Sequence, residues 1–319
     1  MWRGNAVMSD FLSALGEIAT NESAYRNAAI AAVVLLFASS GELVAEKAGT
    51  INISLEGMML AGAFASAVGQ DLTGSVWLAL LFGMAAGVLV ALVQANMSHR
   101  LPADQFVVGL VLNVLVLGLV GFLTSELEPQ TNVVGRVEIP LLAHIPLVGP
   151  ALFDAPWVLY LAYGIIPVVW WMIYRTRWGL AVRAVGEDPN ASDVSGLHVN
   201  KLRRQTIYMA GLTAGLAGGF FLFARSGRFE DSLIGGRGYI AIAAVIFGGW
   251  TLKGTVAGCL LFGAVGSFAL TIPGLGFDAI DPAFLAIAPS VVTIVAMALF
   301  ATRVRQPAAL ARPFIRGLK

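Results

Sequence analysis

Charge is scarce in this sequence: Asp, Glu, Lys and Arg make up 12% of 319 residues, while 58% are hydrophobic. A soluble globule carries about twice that charged fraction. With a mean hydropathy of +0.80, most of the chain must take lipid as its solvent. Cysteine is scarcer still. Cys259 stands alone in an apolar run, which excludes a disulfide framework and a thiolate metal site and leaves it a small packing residue. His99, His144 and His198 lie far apart in the chain, so neither a metal-ligand cluster nor a Ser-His-Asp arrangement is readable and no catalytic residue is expected. No Gly-x-x-x-x-Gly-Lys-Ser/Thr loop occurs either, and the glycine-rich stretches lack the lysine and hydroxyl that meet phosphate and magnesium. ATP hydrolysis by this chain is therefore not expected. Residues 1–25 also lack the basic, apolar and small-residue regions of a signal peptide, so insertion is expected to rely on the first span.

Long apolar runs are present in their place. A bilayer core about 30 Å thick needs about 20 apolar residues per helix, because lipid offers no partner to an unpaired backbone group. About nine candidates appear, at 28–44, 57–70, 76–97, 105–123, 157–174, 206–224, 239–250, 255–272 and 283–302. The fold class is accordingly all-α, a polytopic integral membrane protein of about nine transmembrane or half-membrane helices. Segments 57–70 and 239–250 fall below spanning length and read as half-helices or tilted pieces whose irregular ends are buried by neighbours or line a cavity. Small residues at spacings of three and four, as in GLTAGLAGG (211–219), predict helices in close contact.

Lys and Arg in short loops resist translocation and so set the orientation. The interval 175–205 holds Arg175, Arg177, Arg183, Lys201, Arg203 and Arg204, and the tail 303–319 has five basic residues and no acid. Both are expected in the cytoplasm. The connection 126–156 carries Glu126, Glu128, Glu138 and Asp154 against Arg136 and reads as an ordered external loop. The membrane domain is then 27–302, with segment 1–26 outside. Arg225, Arg228 and Arg237 flank a connection that this topology also places outside, against the rule.

The central interval contains GEDPNASDVSGLHV (186–199). Pro189 suits the first turn of a short helix with Asp188 as N-cap, and Gly196 suits its end, giving a helix over 190–195 that lies along the membrane surface. An ordinary connector with positive-inside charge would account for the composition.

The pattern is more specific than that. RTRWGLAVRAVGEDPNASDVSGLHVNKLR resembles the cytoplasmic coupling segment of permease subunits of ATP-binding cassette importers, in the branch with ribose, branched-chain amino acid and nucleoside permeases. GELVAEKAGTINISLEGMMLAGAFAS (41–66) is similar to the early segment of nucleoside-type permeases, with Gly49, Ile51, Asn52, Ile53, Leu55, Glu56 and Gly57 in register. GRGYIAIAAVIFGGWTLKGTVAGCLLFG (236–263) is similar to their late segment, with Thr251-Leu252 where a proline would be usual. The resemblance runs from about 41 to 302.

It implies a type II-like importer bundle in the bacterial inner membrane, forming half of a path for a small polar solute, nucleosides foremost. It also implies that 189–197 inserts into a groove on a separate ATPase that binds ATP and Mg, so this chain needs no cofactor. Gly186, Glu187, Asp188, Pro189, Ala191, Asp193, Val194, Gly196 and Leu197 make up this element. Ala191, Val194 and Leu197, three apart, would form its apolar stripe, and Glu187, Asp188 and Asp193 would meet basic groups at the groove rim. Further implied partners are a second, different permease forming a heterodimer and an extracytoplasmic solute-binding lipoprotein. Nucleic acid is not among them.

For the solute path the candidates are polar residues within the membrane, where unpaired groups are costly. Asn52 and Ser54 precede the short helix at 57–70, Glu56 sits in its first turn and can cap it, Asn113 lies mid-span, and Tyr239 opens the other short segment. Each has a packing or capping reading beside the solute one. Within the same family the alternative solute is a sugar, a branched-chain amino acid or a flavin. An ion-driven secondary transporter would use intramembrane acids and broken helices in much the same way, and the docking-like central segment argues against it.

Overall fold

The computed structural model describes residues 20–101, 103–146, 148–271, 291, 294–295 and 306–315. In chain order the helices are α1 (Glu22–Lys47), α2 (Leu55–Thr73), α3 (Val76–His99), α4 (Gln105–Leu127), α5 (Val148–Leu152), α6 (Leu161–Arg175), α7 (Arg177–Glu187), α8 (Pro189–Val194), α9 (Val199–Phe221), α10 (Arg237–Phe247) and α11 (Leu252–Thr271). Strands β1 (Arg136–Glu138) and β2 (Asp154–Pro156) pair antiparallel, Val137 opposite Ala155, within the connection between α4 and α6. Each expected span up to α11 coincides with a helix. The expected span 283–302 and residues 1–19 lie outside the described residues.

One of the two short spans needs correction. Segment 57–70 is not a half-helix: α2 has 19 residues, about 28 Å at 1.5 Å each, because its polar ends, Glu56 and Asp71, are helical too. Segment 239–250 is short, since α10 has 11 residues, about 16 Å. At the amino end, α1 starts at Glu22, inside the stretch assigned to an external segment. Asn21 caps it by accepting a hydrogen bond from the Ser23 N–H.

The bundle has an interior and a rim. Helices α1 and α9 are 83% buried over their most apolar windows, whereas α3, α4 and the span ending in α6 are 28% buried there. The interior helices pack on each other, α9 also on α2 and α1 on α11, and α3 closes against α2 and α9. Glycine permits that closure. A Cβ on Gly87 would collide with the Gly211 carbonyl, one on Gly215 with the Gly83 carbonyl, and one on Gly62 with Gly215. In lipid this backbone-to-backbone packing supplies association that apolar contact alone cannot. The rim presents Leu110, Val111, Val114 and Leu115 outward.

The two ends of the bundle carry different connections. At one end lie the turn after α1, the turn between α3 and α4, the segment around α8, and residues 306–315. Thr50 meets His99, Arg204 reaches Asn96, and Ala309 N–H donates to Gly186 O at 2.9 Å. At the opposite end the connection between α4 and α6 is ordered. Tyr160 Oη donates to Val137 O at 2.6 Å, Arg26 pairs with Asp154 at 3.3 Å, and Gln70 Oε1 accepts from Asn132 N–H. From that end the stretch after α9 turns back into the bundle to start α10. This explains Arg237, which stacks on Phe221 at 4.4 Å and donates to Ile234 O at 2.6 Å, so it is held within the protein instead of standing in a loop.

Candidate functional site

Two groups of residues stand out, one at each level of the bundle. The first is built on α7 and α8. Thr176 caps α7, accepting from Gly179 N–H at 2.9 Å, and Gly179, Val182, Val185 and Gly186 turn its buried face inward. Gly186 must be glycine, because a Cβ there would collide with the Lys47 carbonyl. Asp188 then caps α8, its Oδ1 accepting from Ala191 N–H at 2.9 Å, with Pro189 in the first turn. Gly196, at φ +87° in open space, ends it, a conformation that costs other residues about 1 kcal/mol or more. The helix is one residue earlier at each end than the expected 190–195.

Of the apolar stripe, Val194 is 89% exposed, Ala191 is exposed and Leu197 is half-buried. Glu187 and Asp188 are exposed and Asp193 is half-buried.

The second group lies within the bundle. Glu56 accepts from Gly236 N–H at 2.7 Å and Gly238 N–H at 2.6 Å. Its carboxylate therefore caps α10, a helix 180 residues away in sequence, and not its own helix α2. Asn113 holds the same joint together: its Oδ1 accepts from Gly57 N–H, and its Nδ2 donates to Ile53 O and to Tyr239 Oη, each at 2.8 Å. Tyr239, on the first turn of α10, is 43% exposed. Three candidates, Glu56, Asn113 and Tyr239, are thus brought together where α2, α4 and α10 meet. Asn52 and Ser54 are separate from this surface. Both are fully buried and bond to each other at 2.7 Å, while Asn52 N–H donates to Glu42 Oε1, so they shape the turn between α1 and α2.

Some residues escaped the sequence reading. Glu42 and Glu46, one turn apart on α1, are fully buried; Glu46 accepts from Trp250 Nε1 at 2.5 Å. Two acids at i and i+4 in an apolar helix were a readable signal. Arg203 is buried completely and donates to three carbonyls, Ala48 at 3.0 Å, Arg312 at 2.7 Å and Ala309 at 3.4 Å. Counting it as one more positive-inside charge concealed that role. Among the described residues no His, Cys, Asp and Glu side chains gather as metal ligands would.

Residues 24–304 match the family described as branched-chain amino acid transport system / permease component. The chain belongs to this permease family. It is 35% identical over 298 residues to the nucleoside ABC transporter permease protein NupC of Lactococcus lactis, covering 89% of this chain and 93% of that one. It is 34% identical over 304 residues to the guanosine ABC transporter permease protein NupQ of Bacillus subtilis, covering 90% and 94%. Over 258 residues it is 38% identical to the putative glucose ABC transporter permease protein TsgC13 of Haloferax volcanii, covering 79% and 78%. The permease is a multi-pass membrane protein with several apolar helices, and its two residue groups differ in setting: one stands exposed at a bundle end, the other is internally bonded within the bundle.

Proposed function

We propose that this permease is half of the translocation path of an ATP-driven importer for nucleosides, coupled to a separate ATPase through the element 186–197. Val194, held far into solvent on the capped helix α8, carries the coupling part of this reading. The end bearing α8 faces the cytoplasm, where basic residues concentrate. A solute-binding lipoprotein delivers solute at the opposite end, and a second, different permease supplies the other wall of the path. Nucleosides are favoured by near full-length similarity to NupC and NupQ.

When ATP draws the ATPase pair together, α8 moves with them, and α7 and α9 follow because they flank it directly. Arg203, bonded to Ala48 O, passes the shift to the turn between α1 and α2. That turn leads within a few residues to Glu56 and its bonds with the start of α10. Displacing α2 against α10 would open one side of the Glu56, Asn113 and Tyr239 joint and close the other. A nucleoside offers ribose hydroxyls to the carboxylate and amide and a base face to the tyrosine ring.

A sugar is the second reading, favoured by the similarity to TsgC13; ribose and hexose present the same hydroxyl chemistry. Uptake of radiolabelled guanosine in cells expressing the assembly, competed by unlabelled nucleosides or glucose, decides between them. Competition by nucleosides alone supports the proposal, and competition by glucose alone replaces it with the sugar reading.

A further inference from the structure

Residues 306–315 pack against the coupling element. Ala309 N–H donates to Gly186 O at 2.9 Å and Ala311 N–H to Gly49 O at 3.1 Å. Asn200 Nδ2 donates to Phe314 O at 3.3 Å, and the Arg203 guanidinium, fully buried, grips Ala309 and Arg312 from beneath. Burying a guanidinium is costly unless its donors are met, and two of the three carbonyls that meet them belong to this strap. A segment held in this way is tied to the end of α7 and the start of α9, the two helices that flank α8.

The strap and the start of α8 enclose a cleft of about 470 Å³, walled by Asp188, Pro189 and Asn190 on one side and Arg312, Pro313 and Phe314 on the other. Ile315 stands at its edge, 43% exposed. The lining mixes apolar Pro189, Pro313 and Phe314 with acidic Glu187 and Asp188 and basic Arg312, so the cleft fits a side chain that combines an apolar stem with a polar end.

We propose that the strap 306–315 is the second half of the ATPase-docking surface, with α8 entering the ATPase and the cleft receiving a side chain from it. This rests on the coupling reading above. The occupant is the ATPase because the cleft shares a wall with the coupling element, so a protein that seats α8 covers the cleft as well. Arg203 acts as a positioning residue, keeping the strap and α8 at a fixed separation so that one rigid partner can engage both.

The test uses the complete importer assembly purified through a tag on the permease, reading the amount of ATPase retained. Permease recovered from membranes serves as the folding control. Val194→Glu and Ile315→Glu, both at exposed positions, are compared with the unaltered chain. The proposal expects each to lower retained ATPase about tenfold or more with permease recovery unchanged. Loss with V194E and full retention with I315E would overturn the strap inference and leave the coupling reading standing. Loss with I315E and full retention with V194E would remove α8 from the interface and overturn the coupling reading together with the two-part surface built on it. Full retention in both would overturn both.

Discussion

At the coupling end an apolar side chain, Val194, stands in water; within the bundle a carboxylate and an amide, Glu56 and Asn113, sit among apolar helices. Both placements run against the local solvent, yet they are resolved differently. Glu56 and Asn113 have their bonds supplied by the chain itself, five of them at 2.6–2.8 Å. Val194 has no such compensation among the described residues. A polar group in lipid must be satisfied before the protein can fold, so intramembrane polarity identifies joints, whereas an apolar group in water can await a partner. The two zones therefore differ in kind, one closed by the chain's own bonds and the other left exposed.

The division can be broken first at the joint. Glu56→Ala leaves two N–H donors at the start of α10 without an acceptor, roughly 1–3 kcal/mol each and about 2–6 together. The expected outcome is a lower melting temperature in detergent and lost uptake, with the ATPase still bound. Retained uptake would show that the joint is not part of the path. Val194→Glu should give the reverse, with stability within about 0.5 kcal/mol of the original, as for an exposed site, but ATPase activity released from control by transported solute. Gly196→Ala sharpens the contrast. Its φ of +87° makes a side chain cost about 1–2 kcal/mol, which should fray the end of α8 and lower the ratio of solute moved to ATP hydrolysed, without altering permease recovery. The smallest effect belongs to Tyr239→Phe, which removes one bond to Asn113 at about 0.5–1.5 kcal/mol and should raise the half-saturating solute concentration a few-fold in uptake assays.

Much of this arrangement was legible. Within the described residues the spans read from hydropathy alone coincide with helices, and α8 with its Asp188 cap, Pro189 start and Gly196 stop is readable because each signal is local. Helix α7 was overlooked as a charged connector, although Gly179, Val182, Val185 and Gly186 repeat at the helical spacing. The start of α9 was placed at 206, since VNKLRRQ is polar; it is helical from Val199 because Arg203 is buried by the strap, an interaction more than 100 residues distant. The link from Glu56 to Gly236 spans 180 residues and no pattern near either end announces it. Local chemistry reveals elements, and their long-range bonds appear only with the fold.

The central claim, that the permease moves solute only as part of an ATP-driven assembly, is tested most directly by radiolabelled nucleoside uptake into vesicles. One set would hold the permease with its second permease, ATPase and binding protein, with and without ATP at the ATPase face; the other would hold this chain alone under a proton or sodium gradient. The account predicts uptake in the first set with ATP and none in the second. Gradient-driven uptake by the chain alone would contradict it.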